Sequence, residues 1–214
     1  MGALMRHRFA LLVLAATFAS ATPIIAPSTA QELTRAAFND LKQGGFVVMI
    51  RHGKTDAVNA MTEDKSPLDL ARCSDQAVLS ETGREQARAI GKAFTSAAIP
   101  VGKVLASGYC RAIEMARLAF GKVEASDALL LQNFVPVEGA PVPPPWPQRV
   151  ATMKQMVATP PEPSTNTILV THFPNVKAAL GVEIEFGDAV IVKPDGQGAA
   201  RLVARIFARD WPSL

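Results

Sequence analysis

An apolar run at residues 46–50, with no alternation of polar and apolar side chains, is the feature that most constrains the fold. A strand with one solvated face would alternate, so the run predicts a strand buried on both faces. Similar runs follow at residues 103–107 and 167–170, and segments of helical periodicity lie between them. This order predicts an α/β fold, a three-layer α/β/α sandwich around a mostly parallel central sheet.

The rest of the chain supplies the helices and one hairpin. A Pro-Asp-Gly turn at residues 194–196 separates apolar segments and predicts an antiparallel hairpin beside the parallel strands. Helices are predicted at residues 33–41, 109–120, 148–157 and 174–180, and a further one opens with a capping box of Thr82 and Glu85. Residues 56–76 are predicted to form a long loop over a site, and the proline-rich residues 136–147 an extended surface segment.

Polar side chains suited to binding an anion follow each of the three buried strands. Arg51 and His52 end the first, the second leads to Arg111, and the third ends at His172. Ligands of parallel α/β sheets bind beyond the carboxyl ends of the strands, so these residues are expected to meet there. A histidine beside an arginine suits nucleophilic attack on an anion that the guanidinium holds.

The motifs around these residues resemble those of a known family. Residues 51–55, Arg-His-Gly-Lys-Thr, resemble the Arg-His-Gly signature of the histidine phosphatase superfamily, the phosphoglycerate-mutase-like proteins. Residues 107–111, Ser-Gly-Tyr-Cys-Arg, resemble the family's Ser-x-x-x-Arg segment, and His172 stands where the family has its second histidine. The resemblance is to the first branch and extends over residues 46–207, almost the whole chain after residue 30.

The resemblance implies a phosphoglycerate-mutase-like fold and a phosphatase mechanism. His52 would form a phosphohistidine, and positive charge from Arg51, Arg111 and His172 would surround the phosphoryl oxygens. The remaining residues of the motifs would bind substrate, namely Gly53, Lys54, Thr55 and Ser107. No metal or other cofactor is needed when side chains supply the charge. The two cysteines and three histidines also show no ligand-like spacing.

One expected residue is missing. Asn133 stands where first-branch proteins usually have a glutamate that protonates the leaving oxygen, and an amide cannot supply that proton. Phe173 stands where the second branch has an aspartate. Glu138 is the candidate for the acid, with Asp56 and Asp188 as alternatives, each of which is otherwise a solvated carboxylate.

The amino terminus predicts export. Residues 1–30 resemble a secretory signal peptide, with Arg6 and Arg8 before an apolar run at residues 9–19 and cleavage expected after Ala30. That run is too short for stable membrane insertion, so a periplasmic or secreted single domain at residues 31–214 is predicted. Removing the two arginines leaves 20 basic and 19 acidic residues, a net charge of +1 that gives no reason to expect nucleic-acid binding.

The cysteines leave an alternative open. Cys73 and Cys110 fit either a single disulfide, as an oxidising compartment allows, or two buried free thiols. We hypothesise that a bridge would fix the predicted loop beside Arg111.

Two functions are compatible with these residues. The first is an exported phosphomonoesterase acting on a small phosphorylated substrate through phosphohistidine. The second is a catalytically impaired phosphate- or phosphoglycan-binding protein on the same fold, which the asparagine at position 133 favours.

Overall fold

The strands form one sheet in the computed structural model, which describes residues 29–56 and 66–214. The six strands found there are β1 Val47–Arg51, β2 Val101–Ala106, β3 Glu124–Ala125, β4 Asn166–Thr171, β5 Ala189–Pro194 and β6 Ala200–Ile206. Their order is β3-β2-β4-β1-β5-β6. The first four are parallel, whereas β5 runs antiparallel to β1 and pairs with β6 as a hairpin. The predicted mostly parallel sheet with an antiparallel extension is therefore confirmed.

Helices cover both faces of the sheet. They are α1 Thr29–Asp40, α2 Glu81–Ser96, α3 Cys110–Phe120, α4 Trp146–Ala158 and α5 Phe173–Leu180. Val48 and Ile50 of β1 face a core shared with α1, α2 and α3, whereas Val47 and Met49 face a core shared with α4 and α5. All four side chains are fully buried, which explains why this strand shows no polar alternation.

Helix α2 begins at Glu81, two residues before the start that a capping box opening at Thr82 predicts. Ser80 is the N-cap residue, and its hydroxyl accepts the backbone N–H of Gly83 at 3.2 Å. The same hydroxyl donates to the carbonyl of Lys54 at 3.0 Å. Ser80 therefore caps the helix and joins its first turn to the loop after β1, a double role that Thr82, inside the first turn, does not fill.

The long loop and the proline-rich segment lie side by side. Within the described part of the loop, the N–H of Leu68 donates to the carbonyl of Val135, and Leu68 forms an isolated bridge with Pro136. The proline-rich segment is without regular structure until α4 begins at Trp146. Pro147 occupies the first turn of that helix, where its missing N–H costs no intrahelical hydrogen bond.

Most of the predicted signal peptide, residues 1–28, lies outside the described residues, as does the loop segment 57–65. The predicted cleavage point after Ala30 falls in the first turn of α1, and cleavage, export and the single domain stay predictions. None of the helices in the described ranges has the length and apolar character needed to cross a membrane.

Candidate active site

The carboxyl ends of β1, β2 and β4 meet around a cavity of about 260 Å³. The parallel register places Arg51 of β1 beside Thr171 of β4, so the residues that follow both strands emerge together. Its lining consists of Arg51, His52, Thr55, Ala77, Arg111, Leu131, His172, Phe173, Pro174 and Phe186. The structure therefore brings together the four side chains that the sequence placed around the phosphoryl group, and Thr55 with them.

His52 is buried and held in one orientation. Its backbone N–H donates to the carbonyl of Thr171 at 2.9 Å, and its Nδ1 lies 2.9 Å from the carbonyl oxygen of Gly53. A carbonyl oxygen can only accept, so the ring proton is on Nδ1 and Nε2 keeps its lone pair. Burial, reinforced by the nearby Arg111, holds the pKa of His52 well below its ordinary value. At neutral pH the ring is therefore an uncharged nucleophile.

Arg111 faces the free nitrogen of that ring. The residue lies in the first turn of α3. The Nε of its guanidinium is 3.3 Å from His52 Nε2, and its NH1 donates to the carbonyl of Ala77 at 3.2 Å. It also lies over the ring of Tyr109, 4.4 Å from the centroid. These contacts fix a buried cation beside the lone pair that would attack phosphorus.

Arg51 supplies the second cation. Its NH1 donates to the carbonyl of Ile184 at 3.0 Å and lies 3.5 Å from a carboxylate oxygen of Glu185. The guanidinium also lies over Phe186, 3.7 Å from the ring centroid. Its buried Nε has no hydrogen-bond partner among the described residues, and a phosphoryl oxygen would satisfy this donor.

His172 contributes in a different way from the one the sequence predicted. Its Nε2 lies 2.8 Å from the hydroxyl of Ser107, and its ring packs edge-to-face against His52 and Tyr109. Burial and then the neighbouring His52 hold the pKa of His172 well below its ordinary value. The lowered pKa favours the uncharged ring at neutral pH, which differs from the third positive charge that the resemblance implied. Its buried Nδ1, unpartnered within the described ranges, leaves it able to hydrogen-bond a ligand.

The glycine of the signature is required by packing. A Cβ on Gly53 would lie 2.6 Å from the carbonyl oxygen of Gly83 in α2, and a Cβ on Gly83 would meet the carbonyl of Lys54. The N–H of Gly53 points to the sulfur of Met115 at 3.0 Å. Paired glycines thus let the loop after β1 lie directly on the helix.

The remaining predicted binding residues are distributed unevenly. Ser107 is fully buried and contacts His172, and Thr55 lines the cavity. Lys54 is exposed and its side chain does not line the cavity, whereas its backbone N–H donates to Gln86 at 2.9 Å. The structure thus gives Lys54 a backbone role in the loop, and a contact of its side chain with phosphate stays a prediction.

Of the carboxylates considered for the general acid, none lines the cavity. Glu138 and Asp56 are exposed and lie outside the lining, as does Asn133. Asp188 is buried, but it forms an ion pair with Arg205 and accepts the N–H of Ala208 at 2.8 Å. Its lone pairs are therefore used in the fold. Over residues 29–56 and 66–214, the cavity has no acidic side chain in its lining, and no three metal-binding side chains cluster.

The two cysteines form a disulfide, with the Cα atoms of Cys73 and Cys110 5.7 Å apart. The bridge joins the long loop to the first residue of α3, as hypothesised from the sequence. Gln76 reinforces it, because its Oε1 accepts the N–H of Cys110 at 2.8 Å while its Nε2 donates to the carbonyl of Leu70 at 3.1 Å. No periodicity or motif in the sequence identified this glutamine.

A second residue that sequence reasoning missed is Arg149 in α4. It is only 3% exposed, and it donates to the carbonyls of Leu130, Leu131 and Gln132. It therefore fixes the segment that brings Leu131 to the cavity. Its spacing of four residues from Met153 placed it on the apolar face of the predicted helix, which was the available signal.

Several known proteins are similar to this chain. Over 106 residues it is 31% identical to the serine/threonine-protein phosphatase Pgam5, mitochondrial, of Drosophila willistoni. That match covers 50% of this chain and 32% of the relative, so the chain spans about a third of the length of the curated proteins it matches.

The solved structures show the same fold. Bacillus stearothermophilus YhfR superposes with a TM-score of 0.55 at 16% identity, over 74% of this chain and 95% of that chain. The protein histidine phosphatase SixA complexed with tungstate gives a TM-score of 0.50 at 14% identity, over 77% of this chain and 98% of that chain.

A sequence profile settles the family. The profile of the histidine phosphatase superfamily (branch 1) matches residues 47–172, more than half of the chain, from the start of β1 to the second cavity histidine. The resemblance read from the motifs is therefore confirmed. This chain belongs to branch 1 of the histidine phosphatase superfamily.

Proposed function

We propose that this protein is an exported phosphomonoesterase that works through a phosphohistidine on His52. The observation that carries the proposal is the unprotonated Nε2 of His52, which lies 3.3 Å from Arg111 inside a cavity lined by two arginines. The lone pair of Nε2 would form a bond to phosphorus while the bond to the leaving oxygen breaks. Water would then displace the histidine and release phosphate, returning the lone pair to Nε2.

The charge distribution supports phosphoryl transfer. Arg51 and Arg111 are the cations among the described lining residues, and each presents N–H groups in the planar geometry that pairs with phosphate oxygens. The neutral His172, oriented by Ser107, would add a hydrogen bond without adding charge. Donors that are fixed before the reaction stabilise the transferring group effectively, because they need no reorganisation during the reaction.

The lining also sets a preference for the leaving group. None of the side chains lining the described part of the cavity is acidic, so these residues offer no proton donor to a departing alkoxide. Esters whose leaving oxygen is stable as an anion would react fastest. We therefore propose that phosphorylated groups of low leaving-group pKa are better substrates than simple alkyl phosphates.

The similar proteins support the reaction class. Pgam5 of Drosophila willistoni is a serine/threonine-protein phosphatase, and SixA is a protein histidine phosphatase. Both remove a phosphoryl group from a protein side chain, but this chain covers only part of the first and shares only the fold with the second.

Export belongs to the same proposal because of the signal-like composition of residues 1–30. A full-length chain expressed in a bacterium is expected in the periplasmic or culture fraction with Gln31 as its first residue. Amino-terminal sequencing of the fractionated protein tests this. Recovery from the cytoplasm with Met1 retained would contradict export and leave the chemistry untouched.

The test of the chemistry is hydrolysis of 4-nitrophenyl phosphate, whose leaving group needs no protonation. We expect turnover in the presence of EDTA and a loss of about 10⁴-fold or more in His52→Asn. A quenched reaction should contain an acid-labile, base-stable phosphoprotein in the wild type only. Gly91→Ala, which introduces a clash within the α2–α3 interface, controls for destabilisation without changing the cavity lining.

The second candidate function is phosphate or phosphoglycan binding without turnover, which Asn133 and the lack of a carboxylate in the described part of the lining favour. It predicts calorimetric binding of inorganic phosphate with no hydrolysis of the aryl phosphate at any pH. Turnover that persists in His52→Asn would contradict both functions.

A further inference from the structure

We infer that one side of the cavity is a leaving-group subsite for a flat, apolar and uncharged group, such as the ring of an aryl phosphate. The subsite is the wall formed by Leu131, Phe173 and Pro174, which we call the apolar wall. This inference rests on the proposed phosphatase function and specifies its substrate class.

The cavity lining combines polar and apolar side chains. The two arginines and two histidines are its polar members, and the apolar wall adjoins them, since the ring centroid of Phe173 lies 5.8 Å from Cζ of Arg51. The aromatic Phe186 is engaged by the polar members, since it lies under the Arg51 guanidinium and its ring centroid is 5.4 Å from that of His52. The residues of the apolar wall are half-buried, so apolar surface remains accessible beside the phosphoryl position.

Charge argues against an anionic leaving group. A phosphoryl dianion would use both cations of the described lining, Arg51 and Arg111, and burial lowers the pKa of the two histidines, which favours their uncharged forms. A further cation near the wall is Lys177, whose Nζ is 5.7 Å from the ring centroid of Phe173. That lysine is exposed and paired with Glu183 at 2.6 Å, so it does not offer an unpaired charge to the cavity.

The wall is held rigid by hydrogen bonds to its backbone. Arg149 donates to the carbonyls of Leu130 and Leu131 at 2.8 and 3.0 Å, and Asn175 donates to the carbonyl of Leu129 at 2.8 Å. Buried donors thus fix the carbonyls of three successive residues that end at Leu131. A surface that is ordered before binding contributes more affinity, because no ordering cost is incurred on binding.

The other half of the wall is tied to the catalytic histidine. Phe173 and Pro174 follow His172 directly and form the first turn of α5. Proline fixes its own φ angle and is favourable in this position, so the turn that presents His172 also presents the wall. One short stretch of backbone therefore sets the positions of Phe173 and Pro174 relative to His172.

Two substrates with good leaving groups separate the wall from the phosphoryl site. 4-Nitrophenyl phosphate carries a ring, and acetyl phosphate carries none. In Phe173→Ala and Leu131→Ala we expect KM for the aryl ester to rise about tenfold, as for the loss of an apolar contact in a pocket. KM for acetyl phosphate and the inhibition constant of inorganic phosphate should change less than twofold. Leu118→Ala, an exposed leucine of α3 outside the cavity, is the matched control.

A third substrate tests the exclusion of charge. 4-Carboxyphenyl phosphate has the same ring with an added carboxylate, and its KM should exceed that of phenyl phosphate in the wild type. An equal or lower KM would overturn the inference. So would equal losses for the aryl ester and acetyl phosphate in Phe173→Ala and Leu131→Ala.

The inference can fail separately from the proposed function. If the protein binds phosphate without turnover, calorimetry with phenyl phosphate and inorganic phosphate replaces the kinetic assay. Tighter binding of phenyl phosphate, lost in Phe173→Ala, would support the wall without catalysis. Turnover with no preference for the ring would support the phosphatase and reject the wall.

Discussion

The Nε of Arg111 lies 3.3 Å from the Nε2 of His52, the ring nitrogen that carries no proton. The contact is possible because Nδ1 of the same ring donates to the carbonyl of Gly53. A protonated Nε2 could not accept from a guanidinium, so the pair is compatible only with a neutral histidine. The arginine that would bind the phosphoryl group therefore also favours the reactive form of its nucleophile.

Replacing Arg111 separates its charge from its geometry. Arg111→Lys keeps a cation but cannot donate to both His52 and the carbonyl of Ala77, since an ammonium lacks the planar fork. We expect kcat/KM for 4-nitrophenyl phosphate to fall about 10²-fold, the effect of losing one donor to a transition state. Arg111→Met should lose more. Equal activity of Arg111→Lys and the wild type would contradict a bidentate role.

Protonation of the cavity histidines is expected only at low pH. Burial lowers the pKa of His52 and His172 in the folded chain, so the unfolded chain takes up protons first as pH falls. Their contribution to the free energy of unfolding is therefore complete above about pH 6.5 and declines below it, until the folded pKa values are reached.

Two measurements check the direction of this pH dependence. NMR titration of the His52 ring should show a protonation midpoint well below that of a histidine in an unfolded peptide. Urea unfolding at pH 7 and pH 5.5 should show a loss of stability on acidification that is smaller in His172→Gln than in the wild type. A midpoint near 6.5 for both rings would contradict the neutral pair.

The sequence predicted the location of a residue in the fold where that residue ends a strand of the parallel sheet. The three apolar runs and the residues that end them predicted Arg51, His52 and His172 at one edge of the sheet, because parallel strands deliver their carboxyl ends to the same side. Arg111 followed from the motif after the second strand. These positions follow from the course of the backbone, so they can be predicted without knowing how the side chains pack.

What could not be predicted depends on contacts between distant segments. The charge of His172 is set by burial against His52 and Ser107, which no spacing encodes. The use of Asp188 in an ion pair with Arg205 depends on the pairing of β5 with β6. Gln76 was missed for the same reason, since the N–H group that its side chain accepts belongs to Cys110 of α3.

The glycine pair at the start of α2 gives a prediction about packing. Gly53→Ala would place a Cβ 2.6 Å from the carbonyl of Gly83, so either the loop after β1 or the helix must shift. We expect a loss of about 1–3 kcal/mol in the free energy of unfolding, together with a fall in kcat, because the shift displaces His52. Gly91→Ala produces a comparable clash against Ala119 and should lose stability without losing kcat.

Substitution of Glu138 tests whether this residue is the general acid that protonates the leaving oxygen. The structure leaves this residue exposed and outside the cavity, so Glu138→Gln should keep kcat/KM within about twofold, as is typical of surface substitutions. The measurement should use both an aryl and an alkyl phosphate, since only the alkyl ester depends on leaving-group protonation. A selective loss with the alkyl ester would restore Glu138 as the proton donor.

The disulfide is expected to act on stability more than on activity. It joins residues separated by 37 positions, and the chain-entropy relation gives about 4 kcal/mol for a loop of that length. The Cys73→Ser/Cys110→Ser variant should therefore unfold at a markedly lower temperature. The segment keeps two other attachments to α3, from Gln76 to the N–H of Cys110 and from Arg111 to Ala77.

Because those attachments remain, the double serine variant should keep measurable turnover, with KM raised a few-fold through a less constrained Arg111. Adding Gln76→Leu removes the hydrogen bond to α3 and should raise KM further, whereas Gln76→Leu alone should have a small effect while the bridge is intact. This non-additivity is expected when two connections hold the same segment. Independent effects on KM would show that the bridge and Gln76 position different parts of the site.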